Sequence, residues 1–231
     1  MEINYVFDVD GTLTPSSKEI DNKFEEFFLG FATKNDVTIV GGSTYKMIEK
    51  QLGKDICNRV DSVFACQGTQ QYKNGKVQFK EEVEWPSHLN EVLRTFLVQS
   101  SWNYKYSSNI NNRDSMINFS VVGRDCPPEK REEYNIWDQT NGERAHIASY
   151  INQYFPTLEC TVGGEISVDI TPKGVGKHKI LDHIEGDVTF FGDKCDEGGN
   201  DHSLAKKLEE SDQTVHRVKT WKDTEKILKE L

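Results

Sequence analysis

Two aspartates near the N-terminus, Asp8 and Asp10, are separated by one residue in the segment Phe-Asp-Val-Asp-Gly-Thr-Leu-Thr. An apolar run precedes them, so we expect a buried strand over residues 3–9 that brings both carboxylates to its carboxyl end. Side chains two residues apart in a strand point to the same face. One carboxylate could therefore attack a phosphorus atom while the other exchanges a proton with the reacting oxygen. Alternating acidic residues are also common on solvated surfaces, so the pair requires support from elsewhere in the chain.

The most specific support is a second acidic segment at residues 190–201, Phe-Phe-Gly-Asp-Lys-Cys-Asp-Glu-Gly-Gly-Asn-Asp. An apolar strand is expected to end at its Gly-Asp, the Gly-Gly pair allows a sharp loop, and Asn-Asp is expected to open a helix. Four carboxylates in one loop would repel one another unless a cation or a lysine lay among them. The segment therefore favours a functional loop. Asp8 and Asp10, as two carboxylates that converge on a phosphate site, need a cation, and oxygen ligands of this kind suit Mg²⁺.

Two further residues, Ser43 and Lys177, are candidates for holding a phosphoryl group. Ser43 follows Val-Thr-Ile-Val-Gly-Gly and is expected to open a helix, where its hydroxyl and nearby N–H groups could bind a phosphoryl oxygen. An ordinary N-cap is the alternative. Lys177, in Gly-Val-Gly-Lys-His-Lys, could offset the charge of an aspartate nucleophile, although most lysines are simply surface residues.

The elements that must position these residues alternate between strands and helices. Strands are predicted at 3–9, 37–40 and 63–65, with amphipathic helices between them, and this order predicts a parallel sheet. Asn74-Gly75 predicts a hairpin, because a type I′ turn requires positive φ at both central residues. The pattern resumes near residue 173 with a helix at 177–184, a strand at 188–191, a helix at 201–211, a strand at 214–218 and a helix at 221–230.

The middle of the chain has a different order of predicted elements. Polar strands near 102–106 and 116–121 and strands at 158–162 and 166–170 accompany helices at 89–97 and 143–154, which indicates an antiparallel sheet with helices on one face. We therefore predict an α/β protein with a Rossmann-like parallel-sheet core, residues 1–80 and 173–231, and an inserted α+β cap domain, residues 81–172.

Composition restricts the possible functions. The net charge of −10 over 231 residues argues against nucleic acid as a partner. No apolar run approaches the roughly 20 residues that cross a bilayer, and no basic stretch followed by an apolar segment opens the chain, so we expect a cytoplasmic protein. The five cysteines are widely separated, so neither a disulfide framework nor a zinc site is indicated.

These motifs, in this order, resemble the four motifs of the haloacid dehalogenase superfamily. The chain resembles the eukaryotic-type phosphomannomutase family more closely, and the similarity covers nearly its whole length. It includes the Asp8 segment, Val-Gly-Gly-Ser43, and the loop from Gly192 to Asp201. It also includes Met116-Ile-Asn-Phe-Ser-Val-Val-Gly-Arg124 and Gly163-Gly-Glu-Ile-Ser-Val-Asp169 in the middle of the chain.

The resemblance implies a role for each catalytic residue. Asp8 would be the nucleophile and Asp10 the general acid and base, with Ser43 and Lys177 contacting the phosphoryl group. Mg²⁺ would be held by Asp8, the backbone carbonyl of Asp10 and Asp193, with Asn200 and Asp201 at the end of the acidic loop in a second tier around the metal.

The resemblance also implies a sugar-phosphate site in the middle of the chain. Guanidinium groups bind phosphate oxygens bidentately, and a serine and an aspartate two apart on one strand can bind sugar hydroxyls. Structural ion pairs are the alternative role for the arginines. A hexose 1,6-bisphosphate activator and a homodimer formed through the cap are implied as well. The implied substrate-binding residues are Arg113, Arg124, Arg131, Ser167 and Asp169.

The sequence departs from the family where an arginine is expected after the first motif. That stretch reads Pro-Ser-Ser-Lys, which places Ser17 at the arginine position and leaves Lys18 as a partial substitute. The loss weakens the expected grip on substrate phosphate and would favour transfer of the phosphoryl group to water.

Three functions follow from these observations. The leading hypothesis is a mutase that interconverts mannose 6-phosphate and mannose 1-phosphate, as a step in GDP-mannose biosynthesis. A sugar phosphatase of the same fold is the second. A sugar-phosphate sensor without catalysis is the third, and the retention of Asp8, Asp10 and Lys177 together argues against it, because binding alone requires no nucleophile.

Overall fold

The computed structural model describes residues 3–113 and 115–231. They form two compact units, one made of the described residues up to Glu81 with Val175–Leu231, the other of Glu82–Gly174. The strands are β1 (Ile3–Phe7), β2 (Asp36–Val40), β3 (Ser62–Ala65), β4 (Gln70–Lys73), β5 (Lys76–Lys80), β6 (Ile110–Asn112), β7 (Ile117–Phe119), β8 (Leu158–Gly163), β9 (Ser167–Pro172), β10 (Asp187–Gly192) and β11 (Thr214–Arg217). The helices are α1 (Asn22–Ala32), α2 (Tyr45–Leu52), α3 (Lys54–Arg59), α4 (Leu89–Gln99), α5 (Pro128–Asn141), α6 (Glu143–Tyr154), α7 (His202–Glu209) and α8 (Trp221–Glu230), with short 3₁₀ segments at Cys66–Gly68 and Lys177–His183.

The first unit contains a mostly parallel sheet in the order β11-β10-β1-β2-β3-β4-β5. The first five of these strands run parallel, and the β4–β5 hairpin adds two antiparallel strands at one edge. Asn74 and Gly75 both have positive φ, which confirms the predicted turn. The predicted α/β class is thereby confirmed, and the carboxyl ends of β1, β2 and β10 lie side by side at one edge of the sheet.

Aromatic and aliphatic side chains fill the core of the first unit. Phe7 of β1 packs edge-on against Phe28 of α1 and stacks on Phe191 of β10. On another part of the sheet, Val6 and Phe190 belong to one buried cluster with Leu204. Buried strands next to the site therefore have little freedom to move, and they fix the positions of the polar residues that follow them.

The second unit has a four-stranded antiparallel sheet in the order β6-β7-β9-β8. Helix α6 packs against β8 and β9. The buried cluster of this unit includes Leu93 of α4, Phe119 of β7 and Ile151 of α6. An ion pair between Arg144 and Asp138, 2.7 Å apart and largely buried, ties the start of α6 to α5.

One prediction for the second unit is wrong, and one of its helices was not predicted. Residues 102–106 form no strand, because Trp102 packs against Tyr134 and Trp137, with ring centroids 5.4 Å apart in each pair, and its alternation with polar residues does not reflect pairing. The strand that pairs with β7 is β6 instead. Helix α5 was not predicted, because its charged sequence lacks an apolar stripe and buries only Tyr134 and Asp138.

Smaller differences occur in the first unit. Strand β1 ends at Phe7, two residues earlier than predicted, and the segment that begins at Lys177 is a 3₁₀-helix. Helix α2 begins at Tyr45 with Thr44 at its N-cap, so Ser43 lies one residue before the cap. None of the described helices has the length and apolar character that a bilayer span requires.

Candidate active site

The centre of the site is an ion-paired group in which Lys177 lies between two aspartates. Its Nζ donates to Oδ1 of Asp8 at 2.5 Å and to Oδ1 of Asp201 at 2.7 Å. Asp8 is 3% exposed, and Lys177 and Asp201 are fully buried. The one ammonium group therefore holds two carboxylates that are far apart in the sequence.

Each member of the group is fixed by its backbone. The Asp8 N–H donates to the carbonyl of Phe191 at 2.9 Å, so the peptide after β1 continues the pairing with β10. Oδ2 of Asp201 accepts from the Lys194 N–H at 3.0 Å, and the Asp201 N–H donates to the Lys194 carbonyl at 3.1 Å. These reciprocal bonds close the acidic loop on itself and set the position of the Asp201 carboxylate.

Burial and charge act against each other in this group. Burial raises the pKa of Asp8, the charge of Asp201 raises it further, and Lys177 opposes both, leaving the pKa well above its ordinary value. For Lys177, burial acts to lower the pKa, but the charges of Asp201 and then Asp8 outweigh burial and raise it. The lysine is therefore charged at every physiological pH and compensates carboxylates that burial disfavours.

Asp193 adds a third carboxylate at the same place. Its Oδ2 would lie 2.5 Å from a Cβ built on Gly11, which has φ +87°, so only glycine fits at that position of the first motif. Burial, and then the charge of Asp201, raises the pKa of Asp193 to about 7. Carboxylate oxygens of Asp8, Asp193 and Asp201 all lie within 4.8 Å of one another.

This donor set fits a magnesium ion. Three converging carboxylates with one lysine are an excess of negative charge. Burial and then the charge of Asp201 raise the pKa of Asp193, and a bound cation would offset both effects by stabilising the charged carboxylate. Oδ1 of Asn200 is buried and receives no hydrogen bond from the described residues. It is a free oxygen in the loop between Asp193 and Asp201, where a hydrated cation could use it.

Asp10 is not part of this acidic group. Its Oδ1 accepts from the Ser17 N–H at 2.6 Å and from Nε2 of Gln51 at 2.9 Å. Because β1 ends at Phe7, the argument from a shared strand face does not apply to Asp8 and Asp10. The turn at Gly11 directs the second carboxylate toward residues 14–20 and α2.

Ser43 lies in the loop after β2, beside the first motif. It is buried, and its carbonyl accepts from the Cys66 N–H at 3.0 Å. In the same loop, a Cβ on Gly41 would lie 3.2 Å from Cγ2 of Val9. The glycines thus allow the β2 loop to approach the β1 loop closely, which supports Ser43 as a neighbour of the reacting phosphoryl group.

The second unit contains a separate polar group on its sheet. Asn118 of β7 and Asp169 of β9 are directly opposite each other, and Nδ2 of Asn118 donates to Oδ1 of Asp169 at 2.7 Å. Nη1 of Arg124 donates to Oδ1 of Asn118 at 3.1 Å. These three side chains link an acidic, a neutral and a basic group, which is a suitable set for sugar hydroxyls and a phosphate.

The other predicted residues of this unit are placed as follows. Ser167 donates to the Gly163 carbonyl at 3.0 Å, and Arg113 is 4% exposed. Burial raises the pKa of the Cys126 thiol, and Arg131 and then Arg124 oppose that rise, so both guanidinium groups lie near Cys126. Arg124 and Arg131 therefore lie near each other before and within the first turn of α5, whereas Arg113 directly follows β6 in the connection to β7.

Two residues of these sites, Asn118 and Gln51, are not among those predicted from the sequence. Asn118 is an amide between Ile117 and Phe119 in a strand that is buried throughout, and a polar residue in such a strand is a usable signal. Gln51 lies in the last turn of α2, and no local pattern distinguishes it from an exposed helical glutamine.

The sheet topology and the acidic group at the carboxyl ends of its strands define a protein of the haloacid dehalogenase fold. Similar solved structures include an N-terminally truncated, IMP-bound IMP-nucleotidase of Plasmodium falciparum, 15% identical with a TM-score of 0.59, covering 99% of this chain and 67% of that one. The C-terminal domain of a trehalose-6-phosphate phosphatase from C. albicans is 15% identical with a TM-score of 0.59, covering 95% and 80%. Identities this low establish the fold alone.

Sequence comparison is more specific. The eukaryotic phosphomannomutase family matches residues 24–231. A phosphomannomutase from Dendrobium officinale is 36% identical over 95% of this chain and 90% of its own length, and one from Drosophila melanogaster is 35% identical over 100% and 95%. The chain belongs to the eukaryotic phosphomannomutase family.

Proposed function

We propose that this enzyme interconverts mannose 6-phosphate and mannose 1-phosphate by phosphoryl transfer through Asp8. The observation that carries the proposal is the buried group of Asp8, Lys177 and Asp201 with Asp193 beside it, in a chain of the phosphomannomutase family. Binding a sugar phosphate would not require a buried carboxylate held against an ammonium group, whereas attack on phosphorus requires a positioned nucleophile.

The proposed chemistry assigns one step to each group. An oxygen of Asp8 attacks phosphorus, the bond from phosphorus to the sugar oxygen breaks, and the proton that the leaving oxygen takes up comes from Asp10. Lys177 holds the nucleophile in place and offsets negative charge throughout. The aspartyl phosphate then passes its phosphoryl group to the free hydroxyl of a sugar monophosphate, and Asp10 accepts the proton of that hydroxyl. The resulting hexose bisphosphate reorients and returns its other phosphoryl group to Asp8, which releases the isomeric monophosphate.

We propose that Mg²⁺ binds at Asp8, Asp193 and the backbone carbonyl of Asp10, with Asn200 and Asp201 supporting the site. The ion would supply positive charge to the transferring phosphoryl oxygens. Within the chain, Ser43 would donate to one of the same oxygens. This assignment is supported by the convergence of carboxylates and by the unsatisfied oxygen of Asn200.

The second unit would serve as a cap domain that binds the sugar phosphate. Its arginines would hold phosphate, while Ser167 and Asp169 would bind sugar hydroxyls. The bond from Asn118 to Asp169 orients that carboxylate, which supports the assignment. We also propose activation by a hexose 1,6-bisphosphate, a homodimer formed through this unit, and a cytoplasmic location. The proposed phosphate-binding residues are Arg113, Arg124 and Arg131.

A sugar phosphatase is the second candidate, and Ser17 is the observation that favours it. Ser17 is exposed, and its N–H is used by Asp10, so this position offers no guanidinium to substrate phosphate. A weaker grip on a bisphosphorylated sugar gives water more time to reach the aspartyl phosphate.

One assay separates the two candidates. The protein is incubated with mannose 1-phosphate, Mg²⁺ and a trace of hexose 1,6-bisphosphate, and mannose 6-phosphate and inorganic phosphate are both measured. A mutase produces mannose 6-phosphate in excess over phosphate, whereas phosphate without the isomer would remove the mutase assignment. Phosphoryl transfer by the Asp8→Asn variant at the wild-type rate would contradict both.

A further inference from the structure

The side-chain amide of Gln51 is directed at the carboxylate of Asp10. Gln51 is 7% exposed, and its Nε2 lies 2.9 Å from Oδ1 of Asp10, 3.3 Å from Oγ1 of Thr14 and 3.4 Å from the Lys18 carbonyl. A carbonyl and a carboxylate accept hydrogen bonds and a carbonyl cannot donate one, so the nitrogen of the amide must face this group. The orientation of the amide is therefore determined by its surroundings.

A second donor binds the same oxygen of Asp10. The Ser17 N–H donates to Oδ1 at 2.6 Å, with Ser17 in the left-handed region at φ 58°. An amide NH₂ group and a backbone N–H can only donate, so Oδ1 stays an acceptor whatever the protonation state of the carboxyl group. Two donors on Oδ1 favour it as the carbonyl oxygen of a protonated carboxyl group, because a hydroxyl oxygen is the weaker acceptor. A proton carried by Asp10 is thereby favoured on Oδ2, which receives no donor from the part of the chain that is described.

The anchor for this arrangement is helix α2. The Gln51 carbonyl, one of the last four of the helix, accepts from the Ile20 N–H at 2.8 Å. Ile48 and Leu52 of the same helix are fully buried. Gln51 therefore joins the loop after the first motif to a rigid helix through both its backbone and its side chain.

We propose that Gln51 is a positioning residue that fixes the proton of Asp10 on Oδ2 and aims it at the substrate oxygen. In the step it serves, an Asp8 oxygen forms a bond to phosphorus, the bond from phosphorus to the sugar oxygen breaks, and the Oδ2 proton moves to that oxygen. The inference rests on the proposed role of Asp10 as general acid and base, and adds a residue to which no role in the reaction had been assigned.

The test compares two phosphate esters that differ in their need for a proton. Mannose 6-phosphate has an alkoxide leaving group that must be protonated, whereas p-nitrophenyl phosphate releases a stable phenolate. In Gln51→Met, single-turnover transfer from mannose 6-phosphate is expected to fall on the order of 10- to 100-fold, within the range of general acid catalysis. Single-turnover release of p-nitrophenolate should stay within about twofold of wild type, because no acid takes part in it.

A matched control is Gln71→Met. Gln71 is also 7% exposed, and its Nε2 donates to Oγ of Ser62 at 2.9 Å. Its substitution therefore removes a buried hydrogen bond from a glutamine amide that does not involve Asp10. Both variants should lose stability. Only Gln51→Met should slow transfer from mannose 6-phosphate much more than release of p-nitrophenolate. Equal loss on both esters, or no loss on either, would overturn the proposal, because a purely structural defect does not depend on the leaving group.

The Asp10→Asn variant tests the role of Asp10 apart from the role of Gln51. If Asp10→Asn slows transfer from mannose 6-phosphate more than release of p-nitrophenolate and Gln51→Met does not, the role of Gln51 is wrong while Asp10 keeps its role. If Asp10→Asn does not affect the two esters differently, the acid role of Asp10 is wrong and the role of Gln51 falls with it. The larger effect on mannose 6-phosphate in both variants supports both roles.

Discussion

Nζ of Lys177 lies 2.5 Å from Oδ1 of Asp8, although 168 residues lie between them in the sequence. The same ammonium reaches Asp201, and all three groups are buried. A buried cation between two buried anions is stabilising only while all three are present, because removing one leaves an uncompensated charge. Lys177 is thus part of the proposed mechanism and also a single side chain on which the stability of this buried group depends.

The first prediction concerns Lys177→Met. We expect the free energy of unfolding without Mg²⁺ to fall by about 3–5 kcal/mol, because Asp8 and Asp201 lose their cation. Phosphoryl transfer should be lost as well. Lys194→Met is the control, since the Lys194 ammonium is 46% exposed and 4.0 Å from Asp193, and it should cost under about 1 kcal/mol. Urea unfolding measures both variants, and equal costs would contradict the central place of Lys177.

The second prediction concerns Ser17→Arg. The variant adds a guanidinium at the position where the resemblance leads us to expect an arginine. The ratio of mannose 6-phosphate to inorganic phosphate formed from mannose 1-phosphate should therefore rise several-fold. The Ser17 N–H bond to Asp10 is retained, because the change affects only the side chain. Ser16→Arg adds the same charge one residue earlier and should leave the ratio unchanged. An equal ratio in both variants would show that an arginine at position 17 does not decide whether the phosphoryl group goes to the sugar or to water.

The third prediction concerns metal binding. Mg²⁺ should raise the midpoint of thermal unfolding of the wild-type protein, because a ligand that binds only the folded state stabilises it by mass action. Asp193→Asn should lose most of this shift. Asp196→Asn should keep it, since the Asp196 side chain is 99% exposed in the same loop. A full Mg²⁺ shift in Asp193→Asn would place the metal elsewhere.

The fourth prediction concerns Asn118→Leu in the second unit. It removes the bonds to Asp169 and Arg124, so KM for the sugar phosphate should rise about tenfold while single-turnover release of p-nitrophenolate stays unchanged. Asn152→Leu also loses two hydrogen bonds, both to the backbone of Cys160, and should lower stability without raising KM. An unchanged KM for Asn118→Leu would remove this group from the substrate site.

The fifth prediction concerns the pH dependence of stability through His216. Its ring stacks on Phe191 with centroids 4.5 Å apart, and burial lowers its pKa below the ordinary value of 6.5. The unfolded chain therefore binds a proton that the folded protein rejects, so stability falls as the pH drops below 6.5. In His216→Phe, urea unfolding between pH 7 and pH 5 should show a smaller loss than in wild type. An identical loss would exclude His216 as a contributor.

Much of the sheet edge could be predicted from the sequence. Apolar runs that end in Asp8, in Gly41-Gly42-Ser43 and in Gly192-Asp193 identified three strands and the residues that follow them. Parallel strands place their carboxyl ends together, so these local patterns already implied a common site. The hairpin at Asn74 was equally local, because positive φ at both central residues restricts the residue types that a type I′ turn accepts.

The second unit was less predictable. Residues 102–106 alternate like a strand in sequence, but Trp102 packs against Tyr134 and Trp137 of α5 and the segment pairs with no strand. Helix α5 itself is too polar to show a helical stripe. In both cases the deciding contacts are made with residues distant in the sequence, whereas periodicity reports only local burial. The hydrogen bond between Asn118 and Asp169 likewise depends on the register of β7 against β9.

The sequence by itself determined the chemical groups of the proposed site, since Asp8, Asp10, Lys177 and Asp193 were all identified from motifs and the resemblance they carry. Only the tertiary structure decided how they are partnered. It placed Lys177 between Asp8 and Asp201, and it turned Asp10 away from that group toward Gln51. The reason is that a side chain's partner depends on where separate strands and helices come together, which spacing along the chain does not encode.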